Sequence, residues 1–301
     1  MGNQHIKNLS ILFLAAFFIS TSGALGKFIA MPTPVIIWWR SCLGMLALFG
    51  YCKYKKIPFI IFPKKERLAF LISALFLGAH WITYFYSLKM SNVAIGMLSL
   101  FTFPVMTALL EPLFGKEKFK PIHVLLSLMI LLGIYILAPE MDFGNSHFKG
   151  ILLGLISALL YSLRNLILKQ YTQSYNGSML MMYQLGILTV VLIPVLFTFD
   201  ISGIKTQYPY MLLLGLMTTA LGHTLFVKSL KNFSAATASI IGSIQPIFGI
   251  IIAFIFLSEI PTGKTLIGGL LILGTVVIES VLSKKRLNSK ILLLLILIIT
   301  L

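Results

Sequence analysis

The tripeptide Ser87-Leu88-Lys89 occurs a second time as Ser229-Leu230-Lys231, 142 residues further along the chain. The same offset, applied without gaps, pairs further residues of the two halves: Ala16 with Ala158, Ser20 with Ser162, Lys27 with Lys169, Ala94 with Ala236, Pro104 with Pro246 and Glu117 with Glu259. Matching leucines would mean little in so apolar a chain, whereas lysine, glutamate and proline are scarce in it. Rare residue types in one register therefore indicate an internal duplication.

The composition around this repeat is that of a membrane protein. Of the 301 residues, 58% are hydrophobic and only 11% are charged, and the mean hydropathy is +0.98. A water-soluble fold of this size needs more polar surface to cover its core. These values exclude an ordinary cytosolic enzyme, a disordered chain and a DNA-binding module.

Apolar stretches of about 20 residues, the length that crosses a bilayer as a helix, occur ten times. The predicted spans are 9–30, 34–52, 67–88, 91–114, 121–138, 148–169, 179–199, 209–229, 234–257 and 264–282. The sequence therefore predicts an all-α membrane protein with ten transmembrane helices.

The ten spans divide into two halves of five. We predict one five-helix repeat over 9–138, a second over 148–282, and a basic cytoplasmic tail with a short apolar end over 283–301. Because five is an odd number, the two copies enter the membrane in opposite directions. Such inverted repeats place a binding site where they meet, near the middle of the bilayer.

The net charge of +16 is an orientation signal when the positions of the 24 Lys and Arg residues are considered. With the N-terminus inside, the inner segments hold seventeen of them and the outer segments five. Since Lys and Arg are retained on the cytoplasmic side, both termini are predicted to be cytoplasmic, in the cytoplasmic membrane. A nucleic-acid partner is not expected.

The five-plus-five plan resembles the EamA-type family of the drug/metabolite transporter superfamily over residues 9–282. The matching features are Arg40, the tract Ser87-Leu88-Lys89-Met90-Ser91-Asn92-Val93-Ala94, Pro104 followed by Glu117, and Pro246 followed by Ser258-Glu259. The resemblance implies alternating-access transport of a small metabolite, amino acid or drug without an ATP-binding domain. It does not choose the substrate.

Polar and aromatic side chains recur at helical spacing along several spans, and such faces point toward the protein interior in lipid. Our candidate substrate-binding residues are His80, Trp81, Tyr84, Ser99, Phe103, Tyr161, Asn165, His223, Ser243 and Gln245, and Phe101 is a further candidate for an aromatic wall. The alternatives are close helix packing for serine, a lipid-facing anchor for the aromatics, and an ordinary hydrogen-bonded histidine. Either histidine is also a candidate proton carrier.

Three charged residues within spans are candidates for gating or coupling. We predict that Glu111 and Arg164 form an inner gate pair or substrate clamp, with Glu111 as a proton acceptor if transport is proton-coupled. A static ion pair or snorkelling end residues are the alternatives. Arg40 is expected either to attract an anionic substrate group or to snorkel from the end of its helix.

Pro104 and Pro246 occupy matching mid-span positions, where each removes a backbone hydrogen bond and permits a helix kink for gating. The fifth and tenth spans carry few polar residues. They are predicted to be peripheral, facing lipid or the second subunit of a homodimer.

The predicted function is secondary active transport of a small metabolite, amino acid or drug-like solute, by export or exchange with import left open. A membrane-embedded enzyme or a receptor is the alternative. The only aspartates, Asp142 and Asp200, lie in loops, and Cys42 and Cys52 have no metal-ligand spacing. Neither catalytic residues nor a metal nor another cofactor is predicted.

Overall fold

The computed structural model describes residues 2–114, 122–137, 144–242 and 244–282, and every regular element in these ranges is a helix. The predicted tail 283–301, Glu117 and the candidate Ser243 lie outside them. In chain order the helices are α1 (Gly2–Phe28), α2 (Thr33–Tyr54), α3 (Lys64–Met90), α4 (Val93–Leu100), α5 (Phe103–Phe114), α6 (Ile122–Leu137), α7 (Ser146–Tyr171), α8 (Gly177–Val191), α9 (Val195–Thr198), α10 (Ile204–Leu213), a π-helix (Leu214–His223), α11 (Thr224–Ser229), α12 (Ala235–Gly242), α13 (Gln245–Leu257) and α14 (Gly263–Leu282).

Seven helical stretches of the described chain are long and apolar enough to cross a membrane. They are Lys7–Phe28, Thr33–Tyr54, Lys64–Met90, Val93–Phe114, Ser146–Tyr171, Gly177–Thr198 and Ile204–Ser229. These coincide with seven of the ten predicted spans, so the prediction of an all-helical chain with several membrane-crossing helices is confirmed. The other three predicted spans fall on α6, on the pair α12 and α13, and on α14.

Asparagine side chains define where three helices begin. Asn92 accepts a hydrogen bond from the backbone N–H of Ile95 at the start of α4, at 2.8 Å. Asn145 and Asn176 cap α7 and α8 in the same way. An asparagine oxygen at this position satisfies an N–H that has no partner within the helix. These caps set the positions at which the chain re-enters a helix after each turn.

Two of the predicted spans are broken near their middle. Phe101 and Thr102 separate α4 from α5, and a break around Ile244 separates α12 from α13. Pro104 and Pro246 each lie in the first turn of the second half-helix, where a missing N–H costs nothing. Each proline thus follows a break in its span and starts a new helix instead of bending a continuous one. The predicted role of these positions in gating stays a prediction.

The segment Leu214–His223 is a π-helix, which the sequence analysis did not predict. Within it, the Thr219 hydroxyl donates to the carbonyl of Leu214, five residues earlier, at 2.9 Å. The wider turn rotates the residues that follow relative to a regular α-helix.

Helices α3 and α7 pack closely and antiparallel. At one end Gly150 lies against Ser91, and at the other the Tyr175 hydroxyl donates to Glu66 Oε2 at 2.7 Å. A Cβ atom on Gly154 of α7 would lie 3.2 Å from the Ser87 hydroxyl oxygen of α3 and 2.5 Å from the Cβ of Ser99 in α4, so glycine lets α7 approach both helices. The two halves of the chain are thereby joined along almost the whole length of α3.

Helices α6 and α14 pack against each other at the side of the bundle. A Cβ on Gly133 of α6 would lie 3.0 Å from the Gly268 carbonyl oxygen of α14. Leu128 and Leu270 are exposed on the outside of this pair, at 58% and 65%. Each helix thus has one face against the other and one outward apolar face.

Candidate functional site: an aromatic-walled central cavity

A small buried cavity of about 20 Å³ lies where both helix breaks meet α1, α3, α7 and the π-helix. It is lined by Ile19, Ser22, His80, Trp81, Tyr84, Met97, Leu100, Phe101, Phe103, Tyr161, His223 and Gln245. A cavity of this size holds about one water molecule. The structure therefore shows a closed site, in which irregular backbone lines a cavity inside the bundle.

Seven of the ten candidate substrate-binding residues line this cavity: His80, Trp81, Tyr84, Phe103, Tyr161, His223 and Gln245. Ser99 donates instead to Ile95 of its own helix, at 2.8 Å, which is the packing alternative. Asn165 bonds Arg164 and is absent from the lining, and Ser243 lies outside the described residues. The aromatic candidates are buried, so the lipid-anchor alternative is wrong for them.

Residues at equivalent positions of the two halves of the chain line the cavity. Three pairs of lining residues are separated by the repeat offset of 142: Ile19 and Tyr161, Trp81 and His223, and Phe103 and Gln245. The paired side chains differ in chemistry. The backbone positions are thus repeated around the cavity, whereas its two sides present different groups.

His80 is held in place by ring stacking and through one nitrogen. Its Nδ1 is hydrogen bonded to the Ser157 hydroxyl at 2.7 Å, and that hydroxyl also contacts the His80 carbonyl. The ring stacks on Tyr161, with centroids 4.4 Å apart and planes 22° apart, and on Tyr84 at 6.2 Å. The hydrogen-bonded histidine considered as an alternative is observed here, in a residue that also lines the cavity.

Arg40 is completely buried behind the aromatic wall. Its guanidinium carbon lies 3.8 Å from the centre of the Trp81 ring, and its Nε donates to the Thr219 hydroxyl at 3.0 Å. The side chain has 0% exposure, so the expectation of a snorkelling arginine is wrong. The reason is that α2 turns this residue toward α3 and the π-helix, away from the surface of the bundle.

Arg164 is also fully buried, and it belongs to a polar network between α7 and α8. Nη1 donates to Asn165 at 3.0 Å and Nη2 to Gln184 at 2.6 Å, and Gln184 in turn donates to Ser73. Glu111 instead accepts a hydrogen bond from the Ala235 backbone N–H at 2.9 Å. In the described structure, Arg164 and Glu111 therefore bond other groups and not each other, unlike the predicted gate pair.

The two ends of the bundle carry matching polar contacts. At the first, which we call the Lys27 end, the Lys27 ammonium donates to the carbonyls of Leu88 and Ser91, at 2.9 and 2.6 Å. There Glu259 Oε2 accepts from the N–H of Val93, the first residue of α4, at 2.8 Å. Lys27 thus holds the loop between α3 and α4, while Glu259 reaches it from the other repeat.

At the opposite end, the Lys169 end, the Lys169 ammonium donates to the carbonyls of Leu230 and Phe233, at 2.5 and 2.7 Å. Glu111 there accepts from Ala235, the first residue of α12. Lys169 and Glu111 thus bond Leu230, Phe233 and Ala235. These lie 142 positions after Leu88, Ser91 and Val93, which are bonded by Lys27 and Glu259 at the other end. A carboxylate from one repeat therefore caps a half-helix of the other repeat at each end.

Within the described residues, no three His, Cys, Asp or Glu side chains come together in a way that would hold a metal ion. The cavity lining offers aromatic rings, two imidazoles, an amide and three hydroxyls, with two guanidinium groups nearby. This chemistry is suited to recognising a small organic solute, through ring contacts and a few hydrogen bonds.

Comparison with known proteins identifies the family. The EamA-like transporter family matches residues 7–138 and 148–281. An uncharacterized transporter of Archaeoglobus fulgidus is 25% identical over 271 residues, covering 89% of this chain and 94% of that protein. The pseudopaline exporter CntI of Pseudomonas aeruginosa is 22% identical over 263 residues, covering 86% of this chain and 90% of the exporter.

A solved crystal structure shares the fold, with a TM-score of 0.72, over 94% of this chain and 99% of its own, at 16% identity. The family match covers nearly the whole chain, and the relatives it resembles are transporters. The chain therefore belongs to the EamA-like transporter family and is a multi-pass membrane protein.

Proposed function

We propose that this protein is a secondary active transporter that moves a small metabolite, amino acid or drug-like solute by alternating access. The observation that carries the proposal is the closed central cavity, built from equivalent positions of both repeats at two helix breaks. Discontinuous helices meeting at a midplane site are the common construction of transporters with inverted repeats.

The proposed architecture is ten transmembrane helices in two inverted five-helix repeats, 9–138 and 148–282. Support comes from the shared offset of 142, the two matched family segments and the matching contacts at the two ends. With Lys and Arg retained inside, the Lys169 end faces the cytoplasm and the Lys27 end faces outward. Both termini then lie on the cytoplasmic side of the cytoplasmic membrane.

In this mechanism the structure represents an occluded state. Both ends are closed at once, by Glu259 on Val93 and by Glu111 on Ala235. Breaking the first contact would open the cavity outward, and breaking the second would open it inward. Two local contacts of similar strength would then decide which state is populated.

Glu111 is the proposed coupling residue if protons drive transport. Its carboxylate accepts from a helix N-terminus, and protonation removes the negative charge that favours this contact. Proton binding from the cytoplasm would therefore release the Lys169 end. The proposed direction is export or exchange, which the exporter CntI supports at 22% identity.

Cysteine accessibility in proteoliposomes tests the proposal. Cys42 and Cys52 are replaced by serine, Ser22→Cys reports on the cavity, and Ser202→Cys in an exposed loop is the control. We expect Ser22→Cys to react with an impermeant thiol reagent added from either side, and Ser202→Cys from one side only. Reaction of Ser22→Cys from a single side under all conditions would favour a receptor or an enzyme.

Solute exchange over a panel of metabolites and amino acids, with and without a pH gradient, then identifies the cargo and the coupling. A dependence of uptake on the gradient that Glu111→Gln abolishes would support proton coupling through this residue. A full rate and an unchanged pH dependence in Glu111→Gln would contradict it.

A further inference from the structure

The buried guanidinium of Arg40 has two hydrogen-bonding nitrogens that nothing in the described part of the chain satisfies. Nε is bonded to Thr219, but Nη1 and Nη2 are enclosed in the protein without a hydrogen-bond partner. The remaining neighbours are aromatic rings, Trp81 at 3.8 Å and Phe85 at 5.4 Å from the guanidinium carbon. Aromatic faces attract the cation but cannot accept both N–H pairs in the manner of an oxyanion.

An unpaired charge in this position is costly. Arginine stays protonated in proteins, so burial cannot be relieved by loss of a proton. Leaving a buried charge and its donors without a counter-ion normally destabilises a fold strongly. An anion that binds Arg40 in another state of the protein would offset this cost.

The acidic side chains that the structure describes are all engaged away from Arg40. Glu66 bonds Tyr175, Glu111 bonds Ala235, Glu259 bonds Val93 and Asp200 bonds Ser202. None of the described carboxylates thus serves as the counter-ion of Arg40. An anion that pairs with Arg40 would therefore come from outside this part of the chain.

Arg164 is the other fully buried arginine of the described chain, and its terminal nitrogens, unlike those of Arg40, have hydrogen-bond partners. Both of its terminal nitrogens donate to amide oxygens, Nη1 to Asn165 and Nη2 to Gln184. Only its Nε lacks a partner among the described residues. Arg164 is therefore a structural arginine, hydrogen bonded to α7 and α8. Arg40 differs because both of its terminal nitrogens lack a hydrogen-bond partner in the described part of the chain.

The position of Trp81 connects this unused face to the cavity. Trp81 lines the cavity, stacks on Arg40 and meets the His223 ring at 5.2 Å. The closed cavity is too small for an organic solute, so loading requires the wall to move. Displacement of the Trp81 indole would bring the solute to Nη1 and Nη2.

We propose that Arg40 is the anion-recognition residue of the central site, and that the transported solute is an organic carboxylate with a small planar apolar body. The two terminal N–H groups match the two oxygens of a carboxylate, and the aromatic walls match the apolar part. The inference rests on the proposed transport function and names the substrate class for it.

Binding to the purified full-length protein in detergent tests the inference without requiring transport. The probes are 3-phenylpropionate and its neutral amide, 3-phenylpropanamide, compared by calorimetry at one pH and ionic strength. We expect the carboxylate to bind about tenfold more tightly than the amide, as a charge-assisted bidentate contact predicts. Equal affinities, or no binding of either probe, would overturn the proposal.

The Arg40→Gln variant should lose the preference for the carboxylate while retaining weak binding of both probes. Lys205→Gln, which removes an exposed positive charge that does not line the cavity, is the matched control and should keep the wild-type preference. If Arg40→Gln does not fold, Arg40→Lys keeps the charge but not the bidentate geometry, and its preference should fall at least threefold. An undiminished preference in either folded Arg40 variant would overturn the proposal.

The proposed transport function and this inference are tested by different experiments, so one can be contradicted without the other. Alternating access is read from Ser22→Cys labelling, which needs no knowledge of the solute. Two-sided labelling together with equal probe affinities would leave a transporter whose substrate is not an organic carboxylate.

Discussion

Glu259 of the second repeat accepts a hydrogen bond from the backbone N–H of Val93, the first residue of a half-helix in the first repeat, at 2.8 Å. Glu111 of the first repeat makes the corresponding contact with Ala235 of the second, at 2.9 Å. Each carboxylate joins the two repeats at one end of the molecule. The pair provides two separate contacts on which the two open states would depend.

We expect Glu259→Gln and Glu111→Gln to shift the protein in opposite directions. A neutral amide accepts a weaker hydrogen bond at a helix N-terminus, by about 1 kcal/mol, which corresponds to about a fivefold change in a two-state population. Labelling of Ser22→Cys should rise from the Lys27 end in Glu259→Gln and from the Lys169 end in Glu111→Gln.

Asp200→Asn is the control for these two variants, because Asp200 bonds Ser202 within its own loop. Its labelling should equal that of the parent. A rise from the same end in both glutamate variants would show that the two contacts do not oppose each other.

Replacing Lys27 by methionine should destabilise the protein. A methionine side chain is similar in length to that of lysine, but it cannot donate a hydrogen bond to the carbonyls of Leu88 and Ser91 at the end of α3. We expect a loss of about 1–2 kcal/mol, discounted because Lys27 is partly exposed, measured as a lower midpoint of thermal unfolding in detergent.

Lys205→Met removes an exposed lysine and is the matched control for Lys27→Met. Lys169→Met should behave like Lys27→Met, because Lys169 donates to the equivalent carbonyls of Leu230 and Phe233. A midpoint for Lys27→Met equal to that of Lys205→Met would contradict the capping role.

The close packing of α7 on the first repeat predicts a steric penalty at Gly154. A methyl group there would lie 2.5 Å from the Cβ of Ser99, an atom fixed to the backbone, so the helices would have to separate. We expect Gly154→Ala to lower stability by about 1–3 kcal/mol. Gly186→Ala is the control, because its new methyl group would meet Met45 at an ordinary 3.6 Å.

The experiment compares the free energies of unfolding of the two alanine variants. Gly186→Ala should match or slightly exceed the parent, since alanine favours the helix. A Gly154→Ala protein as stable as Gly186→Ala would show that the helix interface adapts at no cost.

Ser157 is expected to affect solute binding through His80. Its hydroxyl is bonded to His80 Nδ1 at 2.7 Å, so Ser157→Ala releases one side of a ring that lines the cavity. We expect a loss of about 1 kcal/mol in stability and about a fivefold weaker binding of 3-phenylpropionate, if this probe binds as proposed.

Ser99→Ala is the control for Ser157→Ala, since the Ser99 hydroxyl bonds only the Ile95 carbonyl of its own helix in the described structure. Its probe affinity should not change. Equal probe affinities in the two serine variants would show that the orientation of His80 by Ser157 does not affect binding.

Much of the fold and of the cavity wall was predictable from the sequence. Helical spacing placed His80 and Tyr84 on one face of α3, and the same criterion selected Tyr161 and His223 in other spans. Spacing located these lining positions because polar side chains are costly to expose to lipid and therefore concentrate toward the protein interior. The lining residues Ile19, Ser22, Met97 and Leu100 were missed, since apolar residues carry no such signal and Ser22 was one of several small residues in its span.

Other features were beyond sequence reasoning. The burial of Arg40 depends on which way α2 turns, and a snorkelling arginine has the same sequence context. Glu111 bonds a backbone N–H of a residue 124 positions away, a contact that no side-chain pattern reveals. The π-helix likewise depends on packing, because its sequence is that of an ordinary apolar helix.

By itself the sequence determined the class of the protein, a helical membrane chain, and a repeat offset of 142. Both follow from local physics, because hydropathy fixes which segments leave water and rare residues reveal a duplication. Only the tertiary structure decided that the repeated positions surround one closed cavity, and that Arg40 is buried beside it with two unused donors. Those facts depend on how helices cross and where they break, which is settled by contacts between distant segments.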